Sequence, residues 1–200
     1  DDPLDRLTYI RTTYFAEPEQ SLGARPIKLQ TQSANGFPEN ARYKLADVGF
    51  ITAHVVGSNN NFETRELSVL KEFFDRSAAS SKWLKDSFVQ YDDTAIIVVA
   101  IHADMFEFDF NEFGNERWLR HSGFGEFGSA LQQAARDFGK PVLLIFGDSH
   151  QHRVFQPFPK YAPNITAVEV YGGRDMHAIE IAIHPAMQAP FSVTTIWNPL

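Results

Sequence analysis

The chain contains no cysteine, which excludes disulfide staples and thiolate chemistry. It has no apolar run near the ~20 residues that a membrane span needs. No cluster of Lys or Arg breaks the formal net charge of -7, which argues against a nucleic-acid partner. There is no internal repeat and no low-complexity tract. The first residue is Asp1 and no signal peptide is visible, so a processed product or a part of a longer chain is expected. The absence of Cys leaves the compartment open, export or a periplasmic location included.

What is present is a globular composition. The 200 residues are 44% hydrophobic and 22% charged, enough for a single domain over residues 1–200 with a real core. The 18 Phe imply a core built on aromatic rings.

Asp2-Pro3 caps a helix expected over residues 3–15. Residues 16–42 hold Pro18, Gly23, Pro26, Gly36 and Pro38 and read mostly as loop, with room for a short strand at 27–32. Tyr43–Leu45 and Val48–Val56 read as two strands joined at Ala46-Asp47. Leu67, Leu70 and Phe74, then Trp83, Leu84, Phe88 and Tyr91, predict helices over 63–76 and 79–91. Thr94–Ile101 is a second apolar strand, and residues 106–125 read as a long irregular loop. A helix ending at Phe138 is stopped by Gly139 and Pro141. Val142–Phe146 is a third buried strand. Ile165–Tyr171 and His177–Ile183 predict a hairpin across Gly172-Gly173, and Ser192–Trp197 a last strand. The pattern is an α/β sheet layer with a β-rich end.

Three strands end in polar groups: Asn59 and Asn60 after Val56, His102 and Asp104 after Ile101, and Asp148, Ser149, His150 and His152 after Phe146. Such groups at the carboxyl ends of buried strands are where α/β sheets keep their sites. Imidazole and carboxylate suit Zn, Fe or Mn, and a catalytic ion needs at least three protein ligands. His102 and His150 are candidate metal ligands, with Asp148 or His152 as a third. A polar turn capping each strand is the bland alternative. His54 reads as structural, and His121, His177 and His184 receive no role.

Gly147-Asp148-Ser149 also resembles the Gly-Asp-Ser block of GDSL-type serine esterases, with Ser149 as nucleophile. That block belongs early in its domain, whereas Ser149 is late. Asp175-x-His177 is one residue short of that family's second motif, and Gln151 breaks a Gly-x-Ser-x-Gly elbow.

Four stretches together resemble the calcineurin-like metallophosphoesterases. They are Asp2 to Arg11 with Phe15, Phe50 to Asn60, Trp83 to Phe106 and Lys140 to His150. Their order agrees with the family's. The resemblance implies the C-terminal half of a two-sheet sandwich flanked by helices, a four-layer αββα fold. It also implies metal-dependent phosphoester hydrolysis on a small phosphoester substrate, with a two-metal site of the Mn, Fe or Zn type. His102 takes the place of the isolated histidine ligand and His150 that of the second histidine of Gly-His-x-His. Asp148 stands where the first histidine would be. Asn59, Asn60, Asp104, Ser149 and His152 become second-rank candidates for substrate or supporting contacts. The family's Asp-x-His, Gly-Asp-x-x-Asp and Gly-Asn-His-Asp/Glu motifs precede the part matched here, and none of them stands ahead of it in the sequence. The expected domain is therefore partial and inactive alone. Its expected partner is its own N-terminal half or another copy. A non-catalytic binding or assembly module built on the same fold is the competing class.

Overall fold

The computed structural model describes residues 4–106, 122–173 and 175–199. The expected Asp2-Pro3 cap and most of the loop expected over 106–125 lie outside them. Strands β1 (Gln30–Gln32), β2 (Phe37–Leu45), β3 (Val48–Thr52), β4 (Ile96–Ala100), β5 (Val142–Phe146), β6 (Arg153–Phe155) and β7 (Ile165–Glu169) form one seven-stranded sheet. Its order is β1-β2-β3-β4-β5-β7-β6. The neighbours β3, β4, β5 and β7 run parallel, so their carboxyl ends share one rim. A separate two-stranded sheet pairs β8 (Ala178–Ile183) with β9 (Phe191–Ile196).

The helices are α1 (Asp5–Tyr14), α2 (Leu67–Gln90) and α3 (Gly125–Phe138). On one sheet face, Ile51, Ile97, Val99, Leu144 and Ala167 join Leu84 and Phe88 of α2 and Phe127 and Leu131 of α3 in one buried cluster. On the other face, Val48, Ile96, Val98, Leu143 and Val168 pack against apolar residues of β8 and β9. The architecture is mixed α/β, with helices on one side of the main sheet and a two-stranded layer on the other. α1 buries no residue and is tied to β2 by an ion pair from Arg11 to Glu39.

The expected helices over 63–76 and 79–91 are one helix. Its buried stripe runs through Val69, Phe73, Arg76, Ser77, Ser80, Ser81, Trp83, Leu84 and Phe88. Polar residues occupy the middle of that stripe, so the hydrophobic period lapses while the helix continues. Residues 16–42 are less loop-like than expected, because β2 begins at Phe37. Its buried residue is polar: Asn40 donates to Gln32 Oε1 at 2.8 Å and accepts from the His54 amide at 2.8 Å. The turn at Ala46-Asp47 stands as read, with Leu45 opposite Val48.

The hairpin expected across Gly172-Gly173 does not form. β7 lies inside the main sheet between β5 and β6, while β8 pairs with β9. Burial explains the division: β7 is almost wholly buried, as suits an interior strand. β8 alternates along its first half, as suits a strand with one wet face. Both edges of the main sheet end in three-residue strands, β1 and β6, and short edges limit further pairing.

Candidate functional site

The site is built on the exits of β3, β4 and β5. After β4, the His102 and Ala103 amides both donate to the Val55 carbonyl at 3.2 Å. The Gly147 amide donates to the His102 carbonyl at 3.1 Å. These bonds stitch the three exits together. They leave the His102 side chain exposed, with Nε2 3.8 Å from Asp148 Oδ1.

The turn after β5 is strained. Asp148 (φ 86°) and His150 (φ 64°) are both left-handed, which costs a non-glycine residue about 1–3 kcal/mol. The buried Glu169 at the end of β7 holds the turn. Its Oε1 accepts from Ser149 Oγ at 2.5 Å and from the Gln151 amide at 3.0 Å. His152 Nδ1 hydrogen-bonds the Glu169 carbonyl at 2.7 Å. Arg153 donates from Nε to Glu169 at 2.8 Å and from Nη2 to Asp104 at 2.6 Å. Asp104 and Glu169 are 1% and 0% exposed, so one guanidinium serves two buried carboxylates. Burial raises the Asp104 pKa, and Arg153 and the Phe106 amide oppose that rise.

Asp148 lies close against Gly57 across the rim, and a side chain there would push its carboxylate aside. A Cβ on Gly57 would lie 2.4 Å from Asp148 Oδ2. Gly57 opens a run of four left-handed residues, Ser58 to Asn61. Asn59 and Asn60 pin this run. Asn59 Oδ1 accepts from the Gly123 amide at 2.7 Å. The buried Asn60 donates to the Gly123 carbonyl at 3.0 Å and accepts from the Val56 amide at 3.2 Å. Its Oδ1 also accepts from the buried Arg76.

Comparison with family models, with curated proteins and with solved structures finds no match.

His102 and Asp148 have a donor spacing that one ion can span, since bonds of about 2.0–2.1 Å put neighbouring ligand atoms roughly 3–4 Å apart. His150, the third expected ligand, lies over the Gly172-Gly173 backbone. A Cβ on Gly172 would come within 2.5 Å of its Cδ2. Among the described residues no three His, Cys, Asp or Glu side chains converge as a metal-binding group. The second-rank candidates Asp104, Ser149 and His152 are occupied in the network that supports the turn.

Sequence reasoning passed over Arg153, Glu169, Gly57 and Tyr171. Glu169 carried a usable signal: it is a lone carboxylate closing the strand Ile165-Thr-Ala-Val168, which holds no other charge. His54, read as structural, is half-buried; its Nδ1 atom is buried without a hydrogen-bond partner and lies 3.7 Å from Glu39 Oε2. Burial pulls its pKa down to about 4, opposed chiefly by Glu39.

Proposed function

We propose that the chain is the C-terminal half of a metal-dependent phosphoester hydrolase of the calcineurin-like type. In this reading His102 and Asp148 hold one side of a divalent-ion centre. The observation that carries the proposal is the 3.8 Å approach of His102 Nε2 to Asp148 Oδ1 at the ends of adjacent parallel strands. Two donors fit one ion but fall short of the three that a catalytic ion takes. The remaining ligands must come from outside the described residues. The family's acidic motifs would supply them. A bound ion of the Mn, Fe or Zn type would polarise a phosphoryl oxygen and acidify its water. This chain's own part is to present the imidazole and the carboxylate, with Glu169 and Arg153 holding the Asp148 turn.

The serine-esterase reading is weaker. The Ser149 hydroxyl donates to Glu169, and among the described residues no imidazole is hydrogen-bonded to it as an activating base. The reading as a non-catalytic module is supported by the exposed apolar residues Met176, Met187 and Ile196 beside or on β8 and β9, which a partner or second copy could cover. Light scattering tests that reading: a stable monomer of 22.6 kDa counts against it.

Calorimetric titration with Mn²⁺ and Zn²⁺ tests the metal reading directly. Binding weakened at least about tenfold by His102→Ala and by Asp148→Asn is expected. Absence of binding, or indifference to both substitutions, overturns it. A chromogenic phosphoester assay with added metal should give no enzyme-like turnover. Rates of order 1–10³ per second would show that the chain is catalytically complete.

A further inference from the structure

We infer that the row of rings from His152 to Trp197 is a stacking site for the heteroaromatic base of a single nucleotide. This deepens the phosphoester reading of the adjoining turn and rests on it for the phosphate. His152 stacks on Tyr171 with centroids 4.3 Å apart and planes at 27°. Tyr171 meets His177 edge-on at 5.1 Å, and His177 meets Trp197 edge-on at 4.7 Å. The row therefore starts in the turn that carries Asp148 and His150 and crosses to the end of β9.

Each ring before the last is fixed by a hydrogen bond. His152 is held by the Glu169 carbonyl, Tyr171 Oη meets Thr195 Oγ1 at 3.1 Å, and His177 Nδ1 accepts from the Asn198 amide at 3.1 Å. A preorganised platform loses little freedom when a ligand docks. The last ring, Trp197, is 69% exposed. If the row served only to anchor β9, its largest ring would be expected beneath the contact, not in solvent. Gly172 and Gly173 follow Tyr171 in the chain, and the His150 ring lies against their backbone.

Base stacking on aromatic side chains suits any base, and area favours purines. The net charge of -7 and the lack of a basic cluster disfavour a polynucleotide backbone, which leaves a single nucleotide.

The test follows the indole N–H resonances of the intact, metal-free chain, with that of Trp197 assigned by its loss in Trp197→Phe. Adenosine, adenosine 5′-monophosphate and glycerol 2-phosphate are titrated separately. Both adenine compounds should shift the Trp197 signal saturably, and glycerol 2-phosphate should not. Trp197→Ala removes this reporter, so binding is followed there on the histidine ring resonances, and the substitution should weaken adenosine affinity about tenfold. Tyr171→Phe keeps the ring, loses only the contact to Thr195, and should retain binding. No saturable shift with adenosine up to about 10 mM overturns the inference, since that range still registers binding of a few kcal/mol. So does unchanged affinity in Trp197→Ala. A failure of metal binding or hydrolysis leaves the adenosine result untouched, so the two readings fail separately.

Discussion

On the helical face of the main sheet, Leu84, Phe127, Leu131 and Leu144 are 0% exposed. On the opposite face, Ile179, Ile181, Ile183, Phe191 and Val193 of β8 and β9 are only half-buried. The difference follows from the covering elements. Two helices of 24 and 14 residues each lay a broad stripe across several strands. A two-stranded layer presents alternate residues only and spans less of the sheet. Stability should therefore be concentrated on one side of the sheet, with the other side adaptable. The candidate rim belongs to neither face and depends on its own buried ions.

The sharpest way to break the comparison is to open the helical face. Phe127→Ala should cost about 3–5 kcal/mol in chemical denaturation, a large share of an ordinary domain's stability. A loss below about 1 kcal/mol would mean that this face is not the stabilising one. At the rim, Arg153→Ala strands two buried carboxylates and should also cost about 3–5 kcal/mol at neutral pH. The deficit should shrink in acid, where carboxylates can be neutralised by protons. A pH-independent deficit would point to lost packing alone.

The helical face also hides a polar island. The Arg76, Ser80 and Asn40 side chains all bond around the His54 backbone. The His54 pKa falls from its ordinary value of 6.5 to about 4 on folding, so the unfolded chain binds the extra proton first. Stability is full above pH 6.5 and is lost as pH falls towards 4, by about 3 kcal/mol for this group. Glu39 and Glu72 draw the pKa up, while Arg76 and Arg11 press it down. Stability measured against pH should flatten over that window in His54→Gln. An unchanged slope would assign the acid sensitivity to other groups. The smallest effect belongs to the hairpin face: Ile181→Ala should cost about 1–2 kcal/mol, because its side chain is already partly wet. A cost matching that of Phe127→Ala would erase the contrast between the faces.

The same contrast governs what could be read from the sequence. Val142–Phe146, the strand leading to His102 and the Gly139-capped helix were legible because apolar runs and punctuating residues sit together in the chain. α2 was misread as two helices because Ser77, Ser80 and Ser81 are buried where leucines would be expected. β7 and β8 were paired because they are neighbours in sequence, yet each finds its partner elsewhere. At the rim, His102 and Asp148 were visible as polar residues after buried strands. The ions that hold the turn were not, since Arg153 reaches carboxylates 16 and 49 positions away. Pairings at such distances leave no local pattern.

The left-handed run from Ser58 to Asn61 has a consequence of handedness. An L-residue is strained there by about 1–2 kcal/mol, with Asn the most tolerant. For a D-residue the same dihedrals are the relaxed ones, so the chain carries one turn of mirror-image helix. A semisynthetic protein with D-alanine at the exposed Ser58 would fit that turn more comfortably than the natural enantiomer of alanine. Chirality, ordinarily a constant of the polypeptide, is at this corner a variable with a favoured sign.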